Sequence, residues 1–230
     1  AADIVHAGLP EFVGRALGVA TGSTPLAVYA ELGRRAAEGT LDAAGLSLIA
    51  LDEYLGVGPA DPGSYQAYVA PRIAGPVGVS AERVAVLNGL ADPQAECRDF
   101  EAKIARMGGV GIQIVGIGAN GHLAFNEPGT PFDSRTHVVR LSEQTRQDNQ
   151  AAFGQAPVPQ YALTQGIGTV LEARRIVLLA TGEEKADAVA RALTGEPDVS
   201  CPASALQRHP DVVVLLDRAA ASALPDPVLV

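Results

Sequence analysis

Short unbroken apolar runs alternate along this chain with longer stretches in which apolar residues recur every three or four positions. This is the pattern of strands buried in a parallel sheet and covered by amphipathic helices. The apolar runs predict strands at 17–20, 46–51, 84–87, 112–117, 136–141, 176–180 and 212–216. The amphipathic stretches predict helices over 25–37, 64–73, 93–105, 143–153, 163–171, 183–193 and 203–207. The run Val212-Val213-Val214-Leu215-Leu216 has no polar position, as expected of a strand covered on both faces. No Gly, Ser or Pro linker divides the chain, and no repeat of fixed period appears. The expectation is an α/β fold: a single domain over residues 1–230, with a mostly parallel sheet and helices on both faces.

Composition narrows the partners. The chain has 230 residues, 47% of them hydrophobic, enough to bury a core. Lys and Arg number 17 against 26 Asp and Glu, a net charge of −9 that opposes nonspecific attraction to nucleic acid or an anionic membrane. Any anionic ligand must therefore be held by local groups. Cys97 and Cys201 lie far apart with no C-x-x-C, so neither a disulfide framework nor a zinc ribbon is indicated, and a cytoplasmic location is expected. No apolar run approaches the roughly 20 residues that span a bilayer. The only methionine is Met107, so a chain opening Ala1-Ala2-Asp3 is expected to have lost its natural start and with it a first strand.

In open sheets of this type, ligands bind beyond the carboxyl ends of the strands. Four such ends carry chemistry. After the strand ending Val19-Ala20 comes Thr21-Gly22-Ser23-Thr24-Pro25. Here Gly22 permits a close backbone approach, Thr24 suits an N-cap and Pro25 the first helical position. Free amides with the Ser23 and Thr24 hydroxyls could cradle an anion, or the segment is an ordinary capped helix. Asp52-Glu53-Tyr54 places two adjacent acids after a buried run, of which alternation lets only one face the cleft. A desolvated carboxylate there becomes a better base, although a helix-capping acid is the other reading.

The third end, Gly116-Ile117-Gly118-Ala119-Asn120-Gly121-His122, formally contains G-x-G-x-x-G. A dinucleotide site needs a long helix directly afterwards, and Pro128, Gly129 and Pro131 break the chain instead. The loop is expected to present His122 as a proton shuttle, with the Glu127 carboxylate orienting the ring and favouring its charged form. At the fourth end, Thr181-Gly182-Glu183-Glu184-Lys185, the cation Lys185 sits against the helix-dipole preference, as a bound anion would explain. His6, His137 and His209 lack metal-ligand spacing.

These segments, with Gly121-His122-Leu123-Ala124-Phe125-Asn126-Glu127-Pro128 and the run from Ala162 to Thr169, resemble the glucosamine-6-phosphate deaminase (glucosamine/galactosamine-6-phosphate isomerase) family, in order from about Leu17 to Ala223. The resemblance implies a modified Rossmann-like fold, no cofactor, no metal, and conversion of glucosamine 6-phosphate to fructose 6-phosphate and ammonia. It assigns Asp52 as the base that moves a proton between C2 and C1, and His122, assisted by Glu127 and accompanied by Asn120, as the ring-opening group. Gly22, Ser23, Thr24 and Lys185 would hold the 6-phosphate.

Departures from the family pattern carry expectations of their own. Asn120 stands where many members have Asp, so it can accept a hydrogen bond but not stabilise an imidazolium by charge. Ala151 stands where a phosphate-binding Arg or Lys is usual, so either another group such as Arg146 compensates, or phosphate affinity is weaker, or the preferred sugar differs. The stretch Ser134 to Val139 lacks the basic pair of allosteric hexameric members, so a nonallosteric monomer or low-order homo-oligomer is expected. The competing readings are a galactosamine-6-phosphate deaminase, a 6-phosphogluconolactonase and a noncatalytic sugar-phosphate sensor. Asn126-Glu127-Pro128 and Asp52-Glu53-Tyr54 favour deamination over the lactonase.

Overall fold

The computed structural model describes residues 1–12 and 16–225. A six-stranded sheet forms its centre. In chain order the elements are α1 (Ala2–Gly8), β1 (Ala16–Val19), α2 (Leu26–Ala37), β2 (Leu48–Ala50), β3 (Asp52–Tyr54), α3 (Tyr65–Val69), α4 (Gly75–Val77), β4 (Val84–Ala85) and α5 (Pro93–Arg106). They continue with β5 (Val110–Val115), β6 (His137–Arg140), α6 (Glu143–Phe153), β7 (Tyr161–Thr164), α7 (Ile167–Leu171), β8 (Arg175–Ala180), α8 (Ala186–Thr194) and β9 (Val212–Leu216). The large sheet has the order β4-β2-β1-β5-β8-β9. Every neighbouring pair in it runs parallel.

The alternation of apolar runs and amphipathic helices is thus realised as an α/β fold, and β1, β2, β5 and β8 consist almost wholly of buried residues. β1 pairs with β2 on one side and β5 on the other. The connections leaving β1 and β5 therefore diverge, and a crevice opens above their carboxyl ends. Among the described residues no helix is long and apolar enough to cross a membrane.

Periodicity failed where a second sheet intervenes. β3, β7 and β6 form a three-stranded antiparallel sheet in the order β3-β7-β6. Of the expected strand 46–51 only Leu48–Ala50 forms β2; after Leu51 the chain enters β3, an unexpected strand that belongs to the other sheet. The expected helix 163–171 begins as β7, whose Ala162, Leu163 and Thr164 are buried between β3 and β6, and becomes helical only at Ile167. Pairing on both edges outweighs local helical spacing. The expected helix 64–73 is α3 continued by a wide π-type turn over Ala70–Ala74, where Pro71 removes a backbone donor. Residues 183–193 begin as a 3-10 turn at Glu183–Lys185, and 203–207 fall within another at Pro202–Arg208.

A second apolar cluster of Tyr54, Val57, Phe125, Leu141, Val158 and Ala162 lies apart from the main core. Tyr54 meets Phe125 at 5.1 Å between ring centroids and Phe153 edge-on at 4.9 Å. Such pairs each add about 0.5–1.5 kcal/mol beyond area burial. They bind β3, the histidine loop and α6 into one packed unit.

Candidate active site

A cavity of about 400 Å³ occupies the crevice above the carboxyl ends of β1, β5 and β8. Its wall includes the Thr21 to Pro25 loop, Asp52, the Gly116 to Gly118 turn, His122, Thr181 and Lys185. Segments as far apart in sequence as Thr21 and Lys185 meet here, most of them at the strand ends of the parallel sheet and Asp52 from β3 of the antiparallel one.

The loop after β1 has the open form an anion cradle needs. Gly22 sits at φ +96°, where a side chain would be strained, although the space about it is empty. Among the described residues the backbone amides of Gly22, Ser23 and Thr24 donate to no protein acceptor. Thr24 does not cap α2: the helix starts at Leu26, Pro25 holds the N-cap position, and no side chain caps it. The turn at Ser23, with Leu26 donating to the Ser23 carbonyl at 3.3 Å, displaces the helix start by one residue. The Thr24 hydroxyl instead approaches that of Thr181 at 3.4 Å, joining the first and fourth strand ends, and Tyr68 donates to the Gly22 carbonyl at 2.5 Å.

The two acids of β3 divide as strand alternation requires. Glu53 turns inward to the start of α3, where its carboxylate accepts from the Ser64 hydroxyl at 2.7 Å and from the amides of Tyr54, Tyr65 and Gln66 at 2.9 to 3.1 Å. It is the capping acid. Asp52 is 6% exposed, lines the cavity and accepts no hydrogen bond through its carboxylate among the described residues. Burial, reinforced by the charge of Glu53, pushes the Asp52 carboxyl well above the usual carboxylate range. A carboxylate so placed is a strengthened base.

His122 stands on a loop shaped by close approach. A Cβ on Gly118 would lie 2.2 to 2.4 Å from three atoms of the His122 ring, so only glycine leaves room for the imidazole. Asn120 links the loop: its Oδ1 accepts from the His122 amide at 3.0 Å and its Nδ2 donates to Glu127 Oε2 at 2.8 Å. Glu127 does not hydrogen-bond the ring. Its other oxygen takes the Ser142 amide at 3.0 Å and the Thr145 hydroxyl at 2.6 Å, and Glu127 lies outside the cavity wall.

The expected preference of His122 for its charged form is also reversed. Burial lowers its pKa by more than the charge of Glu127 restores, and Lys185 lowers it further. For Glu127, burial pushes the carboxyl up, but hydrogen bonds from Thr145, Ser142 and Asn120, with the charge of His122, hold it below its ordinary value. The shifts favour a neutral imidazole beside an ionised carboxylate, leaving the ring one nitrogen to accept a proton and one to donate it.

Lys185 ends the 3-10 turn at the N-cap position of α8, lines the cavity and makes no ion pair among the described residues. Ala151 lies on the exposed side of α6; Asp148, Asn149 and Ala152 are the residues of that helix that reach the cavity. Arg146 is not in the cavity either, so it does not stand in there for a missing cation. Tyr65, Asp148 and Asn149 escaped sequence reasoning because a helix position facing a cleft looks like any other helix position. His137 and His209 are engaged with backbone carbonyls of Arg135 and Ala173.

Comparison with known proteins agrees with this geometry. The family model described as glucosamine-6-phosphate isomerases/6-phosphogluconolactonase matches residues 11–215. A glucosamine-6-phosphate deaminase of Cutibacterium acnes is 46% identical over 226 residues, covering 97% of this chain and 87% of the relative. One from Thermoanaerobacter pseudethanolicus is 40% identical over 228 residues, covering 98% and 90%. A solved monomeric glucosamine-6-phosphate deaminase superposes with a TM-score of 0.92 at 44% identity, covering 96% of this chain and 93% of that one. A 6-phosphogluconolactonase from Trypanosoma brucei shares the fold, with a TM-score of 0.74 at 19% identity and coverage of 97% and 91%. With its strand-end loops, buried Asp52 and histidine loop arranged around one crevice, the chain belongs to the glucosamine-6-phosphate isomerase/6-phosphogluconolactonase family.

Proposed function

We propose that this chain is a glucosamine-6-phosphate deaminase, converting glucosamine 6-phosphate to fructose 6-phosphate and ammonia. The observation that carries this reading is the isolated, buried carboxylate of Asp52 in the cavity wall, opposite an anion cradle and a neutral imidazole. Curated relatives at 40–46% identity over nearly their full length support the same activity.

The sugar phosphate is anchored by the amides of Gly22, Ser23 and Thr24, the hydroxyls of Ser23 and Thr24, and Lys185. His122 moves the proton that opens the ring, donating to the ring oxygen and accepting from the anomeric hydroxyl. Glu127 acts on it through charge, and through Asn120, which ties the loop amide to the carboxylate. In the opened sugar Asp52 takes the proton from C2, giving an enolamine, and returns it to C1. The C2 imine so formed takes up water, and ammonia leaves as the ketose is released. Acid–base assistance of this kind is worth about 10²- to 10⁴-fold per group. The relative described as monomeric supports a monomer or low-order oligomer here.

The test is ammonia release measured side by side on glucosamine 6-phosphate and galactosamine 6-phosphate. Ammonia and fructose 6-phosphate in equal amounts from the first substrate are expected; release from the galactosamine epimer alone refutes the assignment.

A further inference from the structure

Free amides cradle an anion only if the loop that carries them is steady, and little within the loop after β1 steadies it. Gly22 sits at φ +96° with nothing within 4 Å of a Cβ built there, so no side-chain contact opposes rotation of the peptide joining it to Ser23. Upstream, the Tyr29 hydroxyl pins both backbone groups of Ala20, at 3.0 and 2.8 Å. Downstream, the Ser23 carbonyl takes the Leu26 amide at 3.3 Å, and the Thr24 hydroxyl reaches that of Thr181 at 3.4 Å. Between these anchors, among the described residues, the Gly22 carbonyl accepts from one group only, the Tyr68 hydroxyl at 2.5 Å.

That hydrogen bond decides where the next amide points. A trans peptide is planar, with its C=O and N–H on opposite sides. Drawing the Gly22 carbonyl towards Tyr68 therefore turns the Ser23 N–H away from Tyr68, and among the described residues that N–H donates to no protein acceptor. Gly22, Ser23 and Tyr68 all line the cavity. Tyr68 is itself held: its ring packs on the main core, and the Arg72 guanidinium lies over it at 4.8 Å from the centroid. The helix that carries it, α3, is fixed at its first turn by Ser64 and Glu53.

We propose that Tyr68 is a positioning residue for the substrate phosphate: by holding the Gly22–Ser23 peptide, its hydroxyl presents the Ser23 amide to the 6-phosphate. The role rests on the reading of this loop as the phosphate cradle. The short helix that Glu53 caps beside Asp52 thus also sets the anion site, so one element spaces the base from the phosphate.

Tyr68→Phe removes the hydroxyl and keeps the ring, whereas Tyr68→Leu removes both. Titration of inorganic phosphate into isotope-labelled protein, followed by NMR at the amides of Gly22, Ser23 and Thr24, reads the cradle directly. In wild type these amides should shift. In Tyr68→Phe the Ser23 shift should shrink and phosphate affinity should fall by about three- to tenfold, the worth of one hydrogen bond. KM for glucosamine 6-phosphate should rise in step while kcat changes less, and Tyr68→Leu should weaken phosphate no further. Phosphate affinity and KM within about twofold of wild type in Tyr68→Phe overturn the proposal, as does a fall in kcat with KM unchanged. A defect in Tyr68→Leu that Tyr68→Phe lacks also overturns it, since the ring and not the hydroxyl would then matter. Each of these results leaves the cradle standing; phosphate that shifts none of the three amides in wild type refutes the cradle, and the role of Tyr68 with it.

Discussion

Replacing Gly118 by alanine isolates the position of the His122 ring from every other property of the site. The added Cβ would stand 2.2 Å from Cε1, 2.3 Å from Nδ1 and 2.4 Å from Nε2 of the imidazole. Restoring an ordinary contact of about 3.5 Å moves the ring by roughly 1.3 Å. The backbone at Gly118 is not in the left-handed region, so alanine introduces no φ strain. No hydrogen bond holds the ring, and Nδ1 is buried without a partner, so the side chain can swing away at a cost of about 0.5–1.5 kcal/mol.

Stability should therefore fall little. Catalysis should fall much more, because displacing a reacting group by about 1 Å costs on the order of 10²-fold. The assay is kcat/KM for ammonia release together with a thermal melt, with Gly45→Ala as the control, since nothing lies within 4 Å of a Cβ there. If Gly118→Ala retains activity within about threefold of wild type, His122 is not the positioned proton shuttle described above.

Other expectations follow from the carboxylates and the anion cradle. Asp52→Asn should lower turnover by on the order of 10²- to 10⁴-fold. It should also raise the melting temperature at neutral pH. The folded-state pKa of Asp52 lies above its unfolded value, so the native chain binds more protons between the two and its stability falls as pH rises through that interval, a loss that asparagine avoids. A melting temperature unchanged or lowered across neutral pH would contradict the burial argument. The same raised pKa predicts that kcat/KM climbs with pH beyond the ordinary carboxylate range, and a profile flat from pH 4 upward, on a scale where free Asp titrates near ~3.9, would count against Asp52 as the base. Glu53→Gln turns an amide donor towards groups that need an acceptor and should destabilise the fold by about 1–3 kcal/mol, read by denaturant titration; no change would show that α3 does not depend on its cap. Lys185→Ala should raise KM by about tenfold or more with kcat largely preserved, and a purely kcat effect would place Lys185 elsewhere in the reaction.

The large parallel sheet was legible because its central strands leave apolar runs such as the buried Ile176 to Ala180 of β8; β9 has as apolar a run but lies at the sheet edge, where it is only half-buried rather than covered on both faces. The small antiparallel sheet was not. β3 is three residues long and begins with two acids, while β7 carries apolar residues at spacings a helix would also use; their pairing depends on partners more than a hundred residues away. Of the site, the chemistry-bearing residues stood at strand ends and could be found there. What each touches could not: Asp52 and Glu53 are chemically alike in sequence, and only the placement of α3 makes one a cap and leaves the other bare. Gln165 went unnoticed for a similar reason. It is fully buried, donates from Nε2 to the Ala50 carbonyl at 2.8 Å and from its amide to the Leu51 carbonyl at 2.8 Å, so it holds the junction of the two sheets from a segment that read as ordinary helix.

That junction has a consequence for how the sequence can vary. The chain leaves one sheet at Ala50 and enters the other at Asp52, with Leu51 the only residue between them. Because successive side chains of an extended segment point to opposite sides, inserting or deleting one residue there would exchange the destinations of Asp52 and Glu53. The capping acid would be thrown into the cavity and the bare acid into the helix start. Substitutions in this stretch can be graded by size and polarity, but a change of length reverses two functions in a single step. The spacing from β2 to β3 is thus under tighter constraint than the identity of any residue that fills it.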